Sequence, residues 1–136
     1  MNRLDERTLV AGQIHPSEVA GLPAKGIVVL VNNRPDGEEP GQPSSAEIEA
    51  AAHAAGLDYR HIPIAGGISG DQVAAMAEAL EAGPILAFCR SGTRSTFLWA
   101  MARSRMGADA QALTAQAEAA GYDLAPIRAY RGLDEP

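Results

Sequence analysis

Cys89 is the only cysteine among 136 residues, and its neighbours make a poor setting for a core residue. The stretch Ile85-Leu86-Ala87-Phe88-Cys89-Arg90-Ser91-Gly92-Thr93-Arg94-Ser95 passes from an apolar run through the cysteine into a loop with a glycine and two arginines. Gly83-Pro84 bounds the run, which reads as a buried parallel strand, while the spacing of Phe97, Leu98, Met101 and Ala102 reads as a helix. Cys89 is therefore expected at a strand end facing a helix N-terminus, where unpaired N–H groups and the helix dipole both favour an anion. A thiol so placed beside arginine titrates at roughly 3.5–7.5 instead of near 8.5, so Cys89 is predicted to be a thiolate nucleophile. A lone cysteine closing an apolar run commonly serves as a small hydrophobe. Arg90 and Arg94 argue against that here: they are costly to bury unpaired, and with Ser91, Gly92, Thr93 and Ser95 they suit an oxyanion nest.

Composition narrows the ligand. The net charge is −6 with a pI near 4.9, and the arginines are scattered, which argues against a nucleic-acid partner. No run approaches the ~18 apolar residues of a membrane span, and the polar start Met1-Asn2-Arg3-Leu4-Asp5-Glu6-Arg7 lacks the apolar stretch of a signal peptide. A cytoplasmic protein, a single domain over 1–136 and a small-molecule substrate are expected. His15, His53 and His61 stand at no metal-ligand spacing with Cys89, so neither a metal nor a cofactor is expected.

The elements that must position Cys89 follow from local signals. Thr8 to Ala11 reads as a short strand, and His15-Pro16-Ser17-Glu18 as a helix start with proline at the first helical position. Ile27 to Val31 is β-branched and unbroken, as a strand covered on both faces should be, and is expected at the sheet centre. Asn32 to Pro43 reads as loop. Ser44-Ser45-Ala46-Glu47 opens a helix to about Ala55 with a capping box, and Ser69-Gly70-Asp71-Gln72 opens another to about Ala82. Leu57 to Ile64 reads as a strand between them. Beyond Cys89, helices are expected at Thr93–Met106, Asp109–Ala120 and, shorter, from Leu124 to Tyr130. The alternation predicts an α/β fold with a mainly parallel sheet of about four strands and helices on both faces, its ligand site beyond the strands' carboxyl ends.

Two enzyme classes hold a cysteine in such a strand-loop-helix nest. The loop resembles protein tyrosine and dual-specificity phosphatases, which place five residues between cysteine and arginine, but is closer to the rhodanese-type pattern Cys-Arg-x-Gly-x-Arg. Four residues separate Cys89 from Arg94, and Arg90 and Gly92 fall where that pattern has them. With Gly12-Gln13-Ile14, the run Val31-Asn32-Asn33-Arg34-Pro35-Asp36-Gly37-Glu38-Glu39-Pro40-Gly41-Gln42-Pro43, and Tyr59-Arg60-His61-Ile62-Pro63-Ile64, it is similar to the phosphatase-like domain of the bacterial beta-lactamase-hydrolase-like proteins over roughly residues 8–110. The resemblance implies a cysteine-phosphatase-like architecture with a rhodanese-like loop, and a role in sulfide detoxification. A loop one residue shorter than the phosphatase loop closes on something smaller than a phosphoryl group, such as a cysteine persulfide.

A sulfurtransferase is thus the leading expectation: Cys89 accepts sulfane sulfur from a small anionic donor, thiosulfate or a persulfide, and passes it to a thiophilic acceptor such as cyanide, sulfite or glutathione. The alternative is a phosphatase working through a Cys89 phosphocysteine. It would need a general acid after Ile62-Pro63-Ile64, and Ala65-Gly66-Gly67-Ile68-Ser69 holds no carboxylate. Asp71 reads as a helix-terminal residue. Arg94 is expected as the main anion clamp within a nest of backbone N–H groups from Arg90 to Ser95. Arg90 either reaches an anionic donor or lies on the surface, and Ser95 hydrogen-bonds the thiolate or caps the helix. Arg34 and Asp36 either border the pocket or form a structural pair. Glu38 and Glu39 are expected to be solvated, His53 and His61 to be packed or surface residues, and Phe97, Trp99 and Met101 to be core.

Overall fold

The computed structural model describes residues 1–129, so the expected helical residue Tyr130 lies outside the described part. Five strands form one mixed sheet: β1 (Asn2–Asp5), β2 (Thr8–Ala11), β3 (Val29–Asn32), β4 (Asp58–His61) and β5 (Ile85–Phe88). Their spatial order is β1-β2-β5-β3-β4, with β1 antiparallel to β2 and all other pairings parallel. Five α-helices accompany them: α1 (Pro16–Val19), α2 (Ser45–Ala54), α3 (Gly70–Ala82), α4 (Thr93–Arg105) and α5 (Ala110–Ala119).

The sequence places α2 and α3 by their capping boxes, and both boxes form: Ser44 with Glu47 and Ser69 with Gln72. His15 caps α1 through its ring, with Pro16 at the first helical position. Three expectations about the sheet change. β1 adds a fifth, antiparallel strand that the polar sequence Asn2-Arg3-Leu4-Asp5 conceals, because an edge strand with only Leu4 buried carries no alternating pattern. The central strand is β5 and not β3, because β5 inserts between β2 and β3 and pairs with both. The expected strand Leu57–Ile64 contracts to β4 at the opposite edge, where Asp58 and His61 are exposed.

Helices cover both faces. On one, Val10, Val29, Val31, Ile85 and Ala87 pack with Met76, Leu80, Leu98, Trp99 and Leu113 from α3, α4 and α5. On the other, Leu30, Leu86 and Phe88 meet Val19 and Leu22 from the α1 region and Ile48 and Ala52 from α2. Trp99 is fully buried and donates its indole N–H to Asp5 at 2.9 Å, tying α4 to the end of β1. Phe97 packs at the margin of the first core and Met101 is buried within it, as their helical spacing predicts. The register sets Ala11, Phe88, Asn32 and His61 abreast, so the residues that follow β2, β5, β3 and β4 emerge along one rim.

Candidate active site

Cys89 is the first residue beyond β5 on that rim, and it is buried. The chain turns through Arg90 and Ser91 to Gly92, which has φ +90° and is the N-cap residue of α4 without a side-chain cap. Glycine is favoured there twice over. The left-handed backbone penalises a side chain, and a Cβ would collide with the Tyr122 hydroxyl. An uncapped helix start leaves its N–H groups free to face an anion. Gly92 N–H donates to the Cys89 sulfur at 3.1 Å, and the backbone N–H groups of Ser95 and Ser91 also favour its ionised form through hydrogen bonding. Burial pushes the thiol pKa up, but these hydrogen bonds outweigh it and hold the thiol below its ordinary value. The rate of iodoacetamide alkylation should therefore reach half its plateau at a pH below that of a free thiol, about 8.5. A midpoint at or above that value would show the thiolate is not stabilised.

Three neighbours fix the loop's shape. Gly12 lies so close that a Cβ on it would stand 2.9 Å from the Arg90 carbonyl, and the Gln13 N–H donates to that carbonyl at 3.4 Å. Tyr122, from the segment after α5, donates its hydroxyl to the Ser91 carbonyl at 3.1 Å. Ser95 is buried in the first turn of α4 and donates to Asn33 Oδ1 at 2.8 Å, while Asn33 donates to the Ile62 carbonyl at 2.9 Å. The Ser95 hydroxyl is thus spent on a buried polar chain and its backbone N–H favours the thiolate, while the helix cap is Gly92. Thr93 is half-buried and bonds the exposed Ser91 at 3.0 Å.

The arginines are arranged by glutamates. Arg94 donates from Nη1 and Nη2 to the two oxygens of Glu38, each at 2.8 Å, and from Nη1 to the Ile64 carbonyl at 2.7 Å. Its positive charge and the negative charge of the Cys89 thiolate favour each other. Arg34, only 1% exposed, donates from Nε to Glu38 at 2.8 Å and from Nη1 to Gln13 at 3.0 Å. Its Nη2 stands 2.8 Å from a Glu39 oxygen, an ion pair. Hydrogen bonding to Arg94, then to Arg34, holds the Glu38 carboxyl at about 2 against the opposing effect of burial. Arg90 projects outward with its side chain 69% exposed, 3.8 Å from Glu39.

Several expectations are corrected by this network. Glu38 and Glu39 are paired with arginines and are not merely solvated, because the loop after β3 folds back over the cysteine loop. Arg34 and Asp36 do not pair with each other or offer two free groups to a pocket. Arg34 is consumed by the two glutamates, and Asp36 accepts from the first N–H of α2, on Ser45, at 2.7 Å. His61 bonds the Arg34 carbonyl at 2.9 Å, and His53 lies exposed on α2. Asp71 is exposed in the first turn of α3. Among the described residues no three or more His, Cys, Asp and Glu side chains gather to hold a metal.

Asn33, Glu38, Gln13 and Tyr122 are site residues whose roles the sequence did not disclose. Asn33 and Glu38 had a signal available, the polar Asn-Asn pair directly after an apolar strand and the four-residue spacing from Arg34 to Glu38. Tyr122 had none, because its contact depends on where α5 packs.

Residues 1–106 match the family described as "Beta-lactamase hydrolase-like protein, phosphatase-like domain". A beta-lactamase hydrolase-like protein of Agrobacterium fabrum is 41% identical over 110 residues, 77% of this chain and 25% of that protein, so the chain spans about a quarter of that relative's length. A candidate phosphatase from Neisseria meningitidis superposes with a TM-score of 0.79 at 30% identity, covering 94% of this chain and 93% of that one. P. aeruginosa TpbA in complex with pTyr superposes with a TM-score of 0.60 at 20% identity, over 84% of this chain and 68% of that one, a likeness of fold. The match over residues 1–106 includes β5, Cys89 and the helix that follows, and the chain belongs to the phosphatase-like domain family of the beta-lactamase hydrolase-like proteins.

Proposed function

We propose that the protein is a sulfurtransferase in which Cys89 carries sulfane sulfur. The observation behind this reading is that, among the described residues, neither the loop after Ile64 nor the Arg94 clamp offers a free carboxyl group as proton donor. Ala65 to Ser69 holds no carboxylate, and Glu38, which pairs with the clamp arginine, is ionised and committed to Arg34 and Arg94. A leaving group must then depart as a stable anion. In the first half-reaction the Cys89 thiolate attacks the outer sulfur of the donor. A new S–S bond forms to Cys89, the donor's own S–S bond breaks, and sulfite or a thiolate leaves with the electron pair. In the second, a thiophile attacks the outer sulfur of the persulfide and Cys89 leaves as the thiolate. The N–H groups of Ser91, Gly92 and Ser95 and the Arg94 guanidinium offset the negative charge at each stage.

The same reading takes residues 1–136 as one unit working in the cytoplasm on a small anionic donor and a small acceptor, in the handling of sulfide, with neither nucleic acid nor membrane as partner. No helix among the described residues is long and apolar enough to cross a membrane.

Hydrolysis of a phosphate ester through a Cys89 phosphocysteine is the second reading. The comparisons favour it, through the family's phosphatase-like description, the candidate-phosphatase relative and the pTyr-bound fold neighbour. Paired assays separate the two. Sulfur transfer from thiosulfate to cyanide should be present and lost in Cys89→Ala, while hydrolysis of an aryl phosphate should stay near background. Cys89-dependent phosphate release without sulfur transfer would establish the phosphatase.

A further inference from the structure

The loop after β3 and the cysteine loop are joined by a chain of alternating charge, Arg94–Glu38–Arg34–Glu39–Arg90. Arg34, Arg90 and Arg94 stand against Glu38 and Glu39, and Glu38 bridges two of the arginines while Glu39 faces the other pairing. With Cys89 as the thiolate, the three cationic side chains are balanced by three negative groups, so the empty site is close to neutral. The clamp is also partly spent. A guanidinium has five N–H groups; in Arg94 three are committed to Glu38 and Ile64, leaving two, at Nε and Nη2, for the sulfur and its ligand. Apart from Arg90, whose exposed guanidinium stands 3.8 Å from Glu39, each negative charge brought in is met by these two N–H groups and the loop backbone, beside a Glu38 paired with both Arg34 and Arg94.

We infer that Glu38 and Glu39 set the charge the site accepts, so that its substrate carries one negative charge on the reacting group, a thiosulfonate or hydropersulfide anion, in preference to a dianion such as thiosulfate or a phosphate monoester. The sulfur part rests on the function proposed above, whereas the charge limit does not. Like charges held together on binding disfavour the complex, and removing one carboxylate should relieve the doubly charged ligand more than the singly charged one.

Sulfate and methanesulfonate make a matched pair, a methyl group replacing one anionic oxygen, and neither reacts with Cys89. Their ability to protect Cys89 from iodoacetamide reads binding without turnover. The wild type should be protected by methanesulfonate at the same concentration as by sulfate or a lower one. Glu38→Gln should tighten sulfate about tenfold with a much smaller change for methanesulfonate, and Glu39→Gln should shift the ratio in the same direction by less. Sulfate protecting the wild type tenfold better than methanesulfonate would overturn the inference. So would equal changes for both anions in Glu38→Gln, since a merely structural role for Glu38 moves both together. In a second arm, methanethiosulfonate and thiosulfate are compared as donors to cyanide, with the thiosulfonate expected to be faster. Charge-selective protection without transfer from either donor would refute the sulfur half and leave the charge limit standing.

Discussion

Incubation with thiosulfate or glutathione persulfide should make the wild-type protein heavier by one sulfur atom, and cyanide should remove that atom. Cys89→Ser should gain nothing, because Cys89 is the only thiol in the chain. The effect is all-or-none and is read by intact-mass spectrometry. It follows from loop geometry. The N–H groups of Ser91, Gly92 and Ser95 already converge on the sulfur, and Gly92 N–H stands 3.1 Å from it, so the nest is drawn in around the thiolate. One added sulfur atom extends outward from this nest without needing three oxygens to be wrapped. Inserting one glycine between Gly92 and Thr93 would restore the five-residue spacing of the phosphatase loop. That variant should load sulfur poorly and bind phosphate or vanadate better than the wild type. The tight seating of the loop against Gly12 and under Tyr122 makes a folding check by circular dichroism part of the experiment. A wild type that takes up no sulfur yet hydrolyses aryl phosphate through Cys89 would reverse the assignment.

Arg94→Lys should lower kcat/KM by about 10²–10³, the usual loss on removing one preorganised donor to developing charge. Arg94 joins both oxygens of Glu38 to the Ile64 carbonyl, and its charge favours the Cys89 thiolate. A lysine keeps the charge but cannot present a planar fork to Glu38 while still reaching a ligand. Arg34→Lys is the informative contrast. As a loop arginine bordering a pocket it would lose little, but a side chain 1% exposed that holds Glu38, Glu39 and Gln13 is expected to lose stability first and activity second, through the loosened Glu38. Steady-state kinetics with thermal unfolding on both variants checks this. Equal losses of activity with unchanged stability would mean that Arg34 touches the substrate directly.

The position of Cys89, its loop and most of the elements around it were legible in the sequence because their causes are local. An apolar run ending in Cys89, a glycine able to adopt a left-handed turn and a helical pattern after it lie within about a dozen residues. The capping boxes at Ser44 and Ser69 span four residues each. Local chemistry of that kind is written where it acts. The edge strand β1 was hidden because strand pairing with β2, not its own pattern, makes it a strand. The central place of β5 was hidden because strand order is a property of the whole sheet. What decides the behaviour of the site lies further off still. Glu38 meets Arg94 across 56 residues, Asn33 receives the Ser95 hydroxyl across 62, and Tyr122 reaches Ser91 across 31. The residue types were visible at each of these positions, but a carboxylate reads as solvated and an arginine as free until folding brings them within 3 Å. The sequence alone determined that a cysteine stands at a strand end before a glycine turn and a helix. Only the tertiary structure decided how much positive charge is left around it, because pairing between charges depends on distance in space and not along the chain.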